Sequence, residues 1–434
     1  MESSDNDNIT STSYSSSLLP NHTAFMKACA TGDHTTLKSL LNSTPDPTTR
    51  RLLSAQQDTT SGKSPLILAA THGHFDICET LLHEGAPWNA LDRFGKCAGN
   101  YATEGECWEV VNLLVEYATS AELILGASIR LGMKEDLDRQ KVVTTEMEDT
   151  INNPDQMSKC QKTDDDASSN GKTTEDDDAD TSNVPVSHQP CTKPDYLTQS
   201  NVRYNAANTL LLDNDDDAVM MEWERPLMEA HASFLAGNAL NASSNSNEEG
   251  GSDVKGGKRV LNIGFGLGII DTAMQSYNPS LHVIIEAHPT VYNKMIVDGW
   301  DKKKNVRICF GRWQDELPKL LEEGVMFDGI FYDTYGEHFT DLEDFHELMA
   351  KVLDKPNGIY SFFNGLAPDN LFFHGVACNC VKVQLSHLGF DTEFLSCEIQ
   401  VDEKDWEGVR RKYWHGRNTY YLPIVTWRKE EGAS

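Results

Sequence analysis

The stretch RVLNIGFGLGIIDTAMQ, residues 259–275, limits the fold most tightly. An apolar strand, Arg259 to Ile263, runs into Gly264, Gly266 and Gly268 and then into an apolar helix. A strand that turns on glycine into a helix opens a βαβ unit, and the strand that follows must lie parallel to the first. That strand is HVIIEAH, ending at Glu286. Glycines at such a turn let backbone approach a ligand, and an acid at the end of the second strand can hold two ribose hydroxyls.

Dinucleotide sites read G-x-G-x-x-G at this turn. Here the spacing is G-x-G-x-G, with Ile269 where the third dinucleotide glycine would stand, which favours S-adenosylmethionine over NAD. Further strands follow in order: NVRICF through Phe310, then Gly311-Arg312-Trp313-Gln314 at its end; GIFY, which stops at Asp333-Thr334-Tyr335; and NGIYSFFNG. The pattern predicts a mainly parallel twisted α/β sheet with helices on both faces, a Rossmann-like architecture. In such sheets ligands lie outside the carboxyl ends of the strands, where Glu286, Trp313 and Asp333 all fall.

Upstream the composition changes. Residues 141–200 carry thirteen acidic against five basic side chains, with TDDDASSNGKTTEDDDADTSN at the centre and almost nothing apolar to bury. Such a segment cannot offset the entropy of ordering. We expect an acidic disordered linker over 134–195, a disordered tail over 1–20, and separate folded parts over 21–133 and 196–434.

The first folded part repeats. SPLILAATHGHFDICETLLHEGAPWNAL, residues 64–91, follows the ankyrin scheme T-P-L-H-x-A with Ser64 for Thr. Residues 23–41 and 98–115 read as its neighbours, with turn glycines Gly32, Gly73 and Gly105. The longer first interval requires an insertion around 44–60. Each unit buries its apolar face only against the next, so a short α-helical stack that makes protein contacts is expected.

The formal net charge of −30 disfavours direct nucleic-acid or membrane binding and suits basic partners. The ten cysteines are scattered inside apolar patterns, and no spacing matches a metal knuckle, so reduced thiols and no metal site are expected. No run of uninterrupted apolar residues reaches the length of a membrane span, and the expected location is cytoplasmic and nuclear.

Five motifs in register, AVMMEWERPLMEAHA (218–232), LNIGFGLGIID (261–271), IIEAHP (284–289), GRWQD (311–315) and FDGIFYDTYGEH (327–338), carry a resemblance to the guanidino-group methyltransferases. The chain from about Tyr196 onward resembles guanidinoacetate N-methyltransferase and, with ankyrin repeats ahead of the catalytic domain, more closely the fungal-type protein arginine N5-methyltransferases (type IV). The resemblance implies a class I methyltransferase using S-adenosylmethionine and yielding S-adenosylhomocysteine. It implies Tyr196, Met220 and Met228 as a lid, Gly264, Phe265, Gly266, Leu267, Gly268 and Ile269 around the methionine part, Glu286, Ala287 and His288 at the ribose, Trp313 and Gln314 near the adenine, and Asp333 beside the reacting groups. Asn262 departs from the general methyltransferase pattern, which has an acid there.

Methyl transfer to nitrogen needs a lone pair in line with the methyl carbon, about 3 to 3.5 Å away. A guanidinium is protonated at neutral pH and its lone pairs are delocalised. Carboxylates match its planar fork of N–H donors, hold its charge and accept a proton. Asp333 and Glu224 are the expected catalytic pair, with Tyr332 or Tyr335 offering a ring to the cation. Glu337 and His338 are second-line candidates, and Asn364 either reaches the site or shapes a turn. The basic-aromatic run GVRRKYWHGRNTYYLPIVTW reads as a charged loop and an edge strand rather than a nucleic-acid surface. Three functions stay open: a protein arginine N5-methyltransferase acting on a basic protein such as a ribosomal protein, a small-molecule guanidino methyltransferase, and a non-catalytic ankyrin scaffold.

Overall fold

The computed structural model describes residues 21–151, 196–237, 257–335, 339–368, 370–414 and 418–429, with backbone alone over 133–151. The expected tail, the acidic run 152–195, Glu337 and His338 lie outside the described residues. The chain forms two compact units, Met1–Ile124 with Asn370–Cys380, and Leu125–Asp369 with Val381–Ser434.

In the first unit, helix pairs α1 (His22–Thr31) and α2 (His34–Asn42), α4 (Pro65–Thr71) and α5 (Phe75–His83), and α6 (Ala98–Glu104) and the start of α7 (Trp108–Ile151) form three repeats. The insertion folds as α3 (Pro47–Ala55). Ser64 caps α4, its hydroxyl accepting from Ile67 N–H at 3.2 Å with Pro65 at the first helical position, which is why Ser can replace Thr there. Gly32 and Gly73 take left-handed backbone, whereas in the third turn that conformation falls on Glu106 instead of Gly105. The core of Phe25, Leu37, Leu66, Ile67 and Leu81 continues into Phe372, Val376 and Cys380. A Cβ on Gly99 would stand 2.3 Å from the Phe372 ring, so the third repeat needs glycine where the distant segment packs. Sequence distance hid this segment, which reads locally like the rest of the α/β half.

α7 also corrects the expected linker start, because its backbone stays helical through Ile151; no glycine or proline interrupts 133–151. Its stretch Trp108–Gly132 is long and apolar enough by composition to cross a membrane, with mean hydropathy 1.3. Val110, Leu114 and Ala118 nevertheless lie in the repeat core while Glu109, Glu116 and Glu122 are exposed, the pattern of an amphipathic packing helix.

The second unit opens with α8 (Tyr196–Gln199) and a small antiparallel sheet of β1 (Arg203–Tyr204), β2 (Leu210–Leu212) and β3 (Ala218–Met221). A 3₁₀ turn, Glu222–Glu224, leads from β3 into α9 (Arg225–Leu235). Then come β4 (Arg259–Ile263), α10 (Ile269–Gln275), β5 (Leu281–Glu286), α11 (Pro289–Val297), β6 (Val306–Phe310), α12 (Trp313–Glu322), β7 (Gly329–Tyr332), α13 (Phe339–Val352), β8 (Ile359–Phe362), α14 (Leu371–His387), β9 (Phe390–Glu398) and β10 (Thr419–Trp427).

These build one seven-stranded sheet in the order β6-β5-β4-β7-β8-β10-β9. β4 pairs in parallel with both β5 and β7, whereas β10 runs antiparallel to β8 and β9. β7 and β8 are buried at every residue, as strands covered on both faces must be. β10 is thus an interior strand, correcting the expected edge; its Tyr420, Leu422, Ile424 and Val425 are buried as interior strands require. Ile263 stands opposite both Ile285 and Tyr332, so Gly264, Glu286 and Asp333 leave the sheet at one level. That level is the switch point, where the strand order reverses at β4.

Candidate active site

Gly264 has φ 91°, and a Cβ there would come within 2.0 Å of the Asp333 carbonyl oxygen. Only glycine lets the turn pass beside the end of β7. Glu286 accepts from Phe265 N–H at 2.9 Å and from His288 N–H at 2.7 Å, so β5 ends with its carboxylate locked to the glycine turn. Burial raises the Glu286 carboxyl above its ordinary value, and these backbone donors oppose the rise. His288 Nδ1 accepts from Thr290 N–H at 3.2 Å, which leaves Nε2–H to donate to Ser200 at 2.8 Å.

The acid absent at position 262 comes from α10. Asn262 Nδ2 donates to both Asp271 oxygens, at 3.0 and 2.9 Å, and to the Gly264 carbonyl at 2.8 Å. Gln275 donates to His282 Nδ1 at 2.9 Å, so His282 Nε2–H donates to Asp271 at 3.0 Å. This buried network ties the glycine turn to α10 and β5, and its members were invisible as a group because they lie on three elements.

Across the mouth stand two carboxylates. Asp333 follows β7, is half-buried, and receives no hydrogen bond among the described residues; burial pushes its carboxyl up to about 7. Glu224 ends the 3₁₀ turn and is 3% exposed. Its Oε1 accepts from Met221 N–H at 2.9 Å and from the Tyr413 hydroxyl at 2.5 Å. Burial first, then the Asp333 charge, pushes its carboxyl up to about 8. α9 is pinned beneath it: His231 bonds Ser361 at 2.7 Å and Tyr420 at 3.0 Å, anchoring the helix to β8 and β10.

A cavity of about 840 Å³ joins these groups. It is lined by Tyr196, Met220, Glu224, Gly264, Phe265, Gly266, Glu286, Ala287, His288, Trp313, Gln314 and Asp333, all expected from sequence. Met228, Leu267, Gly268 and Ile269 stand outside its wall. Met228 is fully buried on α9 in the core rather than at the cavity wall. Ile269 also faces the core, and Gly268 is the cap of α10. Leu267 acts through backbone, its N–H reaching the Met220 sulfur at 3.1 Å. Tyr332 is buried against Phe345, ring centroids 4.4 Å apart, and offers no ring to the cavity; Tyr335 lines it and donates to Asp213 at 2.9 Å.

Asn364 is buried in the turn after β8, where its N–H donates to the Tyr420 hydroxyl at 2.7 Å and its side chain to the Tyr421 carbonyl at 2.8 Å. It shapes the turn. Sequence reasoning missed Arg410, Arg411, Lys412 and Tyr413, which line the cavity from the loop before β10. The signal was the run VRRKYW, whose mixture of cations and aromatics was read as a charged loop alone.

A parallel sheet that reverses at its glycine turn, with its final strand inserted antiparallel beside β8, is the fold of the Rossmann-like class I methyltransferases. The family model for guanidinoacetate N-methyltransferase matches residues 189–373, and that for ankyrin repeats (three copies) matches 6–93 and 25–123. Protein arginine N-methyltransferase 2 of Candida glabrata is 34% identical over 356 residues, 81% of this chain and 78% of that protein. The protein of the same name from Saccharomyces cerevisiae is 34% identical over 357 residues, covering 81% and 77%. That from Yarrowia lipolytica is 41% identical over 237 residues, 54% of this chain and about half (47%) of that protein. The chain belongs to the protein arginine N-methyltransferase 2 family.

Proposed function

We propose that the protein methylates the internal, N5 nitrogen of an arginine side chain in a protein substrate. The observation that carries this is the pair of carboxyls, buried Glu224 and half-buried Asp333, that line one cavity with a glycine turn and the Glu286 carboxylate. S-adenosylmethionine supplies the methyl group from its sulfonium and leaves as S-adenosylhomocysteine. Glu286 and the Gly264–Gly266 turn fit such a ligand, since Gly264, Phe265, Gly266 and the Glu286 carboxylate all line the same cavity.

Two carboxylates that repel each other are stabilised by a guanidinium between them, which restores their charge and fixes the acceptor's plane. Holding both terminal nitrogens would leave the substituted nitrogen facing the donor. As the N–C bond forms, the acceptor loses one proton, and a carboxylate with an elevated pKa is a better base for it than an ordinary one.

The relatives' name and the ankyrin repeats favour a protein acceptor, and the net charge of −30 favours a basic one such as a ribosomal protein, met in the cytoplasm or nucleus. The guanidinoacetate family match favours a second reading, a free guanidino acid as acceptor. Fragmentation of the methylated product by mass spectrometry separates the outcomes. Methyl on the internal nitrogen of a peptide arginine is expected; methyl on a terminal nitrogen, or on guanidinoacetate alone, overturns the proposal.

Glu286→Ala is expected to weaken S-adenosylmethionine binding by roughly 10- to 100-fold, the worth of hydrogen bonds to a charged group. Calorimetric titration checks it, and unchanged affinity would reject the ribose role.

A further inference from the structure

We propose that Tyr413 is a positioning residue for the transfer: its phenol fixes the Glu224 carboxylate with one oxygen turned to the acceptor. The inference rests on the function proposed above. Both donors to Glu224, the Tyr413 hydroxyl and Met221 N–H, reach the same oxygen, Oε1. Oε2 takes no hydrogen bond among the described residues and is left for a guanidinium N–H.

The phenol is itself held rigidly. Its ring meets Trp406 edge-on at 5.2 Å and tilts against Trp223 at 5.9 Å. The loop that carries it is fastened to the β2–β3 turn, where Arg410 N–H donates to the Asp216 carbonyl at 2.8 Å and the Arg410 guanidinium pairs with Asp217. A side chain held this way keeps its geometry when the acceptor arrives.

The chemistry explains why a phenol stands here. A carboxyl buried beside Asp333 is driven toward its protonated form, which has neither the charge nor the free lone pairs to grip a guanidinium. A donor hydrogen bond favours the anion. A lysine or arginine at the same place would favour it more strongly, yet would repel the cationic acceptor. A neutral hydroxyl stabilises Glu224 without opposing the substrate. The other titratable groups facing Glu224 are Asp333 and Tyr420, whose hydroxyl is engaged by His231 and the Asn364 N–H; the cations lining the same cavity are Arg410, Arg411 and Lys412, and Arg225, next in the chain, is paired with Glu222.

The test is the pH profile of kcat/KM for Tyr413→Phe, which removes one oxygen and keeps the ring. Loss of a hydrogen bond to a charged group is worth one to two pK units by order of magnitude. The acid limb is therefore expected to move up by about one unit or more, with activity reduced roughly tenfold at pH 7 and recovering toward pH 9. Affinity for S-adenosylmethionine, which also reports that the variant is folded, is expected to stay unchanged. In a Glu224→Gln background, Tyr413→Phe is expected to leave acceptor affinity unchanged, because no carboxylate remains to be held. A uniform fall at every pH, or an unmoved profile, would overturn the inference. Absence of arginine methylation by the unaltered protein would instead defeat the function on which it rests.

Discussion

Asp333→Asn is expected to retain cofactor binding and to lose methyl transfer by roughly 10²- to 10⁴-fold. The substitution keeps the size of the side chain and the backbone path past Gly264, so the glycine turn should stand. In the function proposed above, it removes the charge that faces the guanidinium and the base that receives its proton. The Asp333 N–H donates to the Ile263 carbonyl at 2.9 Å and is untouched by the change, and burial alone shifts the side-chain carboxyl, so no side-chain hydrogen bond is lost with the charge. Single-turnover rates with saturating cofactor check the effect, and near-normal turnover would reject the role.

Glu224→Gln is expected to abolish activity to a similar degree while making the free protein more stable. Gln can still accept from Met221 N–H and the Tyr413 hydroxyl through its carbonyl oxygen, so the packing is preserved. What disappears is a buried acid whose folded pKa, about 8, lies above its ordinary value of 4.5. Between those values the folded state binds more protons than the unfolded state, so stability falls as pH rises through that window. The variant should therefore exceed the unaltered protein by on the order of 5 kcal/mol near pH 8.5, with the difference vanishing below about pH 4.5. Denaturant unfolding at several pH values measures it. A variant less stable at high pH would show that Glu224 is held ionised by contacts stronger than those described.

The two effects together describe a site that carries strain for its acceptor. A buried Glu224 and a half-buried Asp333 line one cavity where each would rather be neutral, and in the proposed reaction the guanidinium relieves them.

Most of the α/β half could be read directly, because strand, glycine turn and helix follow one another locally and each strand's apolar run ends at a polar residue. Glu286 and Asp333 were legible for the same reason, as the acids at the last residue of β5 and the first residue beyond β7. Glu224 needed the family resemblance, since a 3₁₀ turn between a short strand and a helix has no period of its own. Tyr413 and the Asn262–Asp271–His282 network were not legible, because their partners lie far along the chain or on other elements and only the folded sheet brings them together. Met228 was misplaced toward the cavity because an apolar helix position looks the same whether it faces a ligand or the core. The packing of Asn370–Cys380 with the repeats was hidden for a like reason: Phe372 and Val376 fit any apolar helix face.

The most direct test of the account is to incubate the protein with methyl-labelled S-adenosylmethionine, a cytosolic extract and free guanidinoacetate, beside an Asp333→Asn control, and follow the label. The account predicts label on arginine in one or a few protein bands, absent with Asp333→Asn. Label confined to guanidinoacetate, or protein label undiminished by Asp333→Asn, would contradict it.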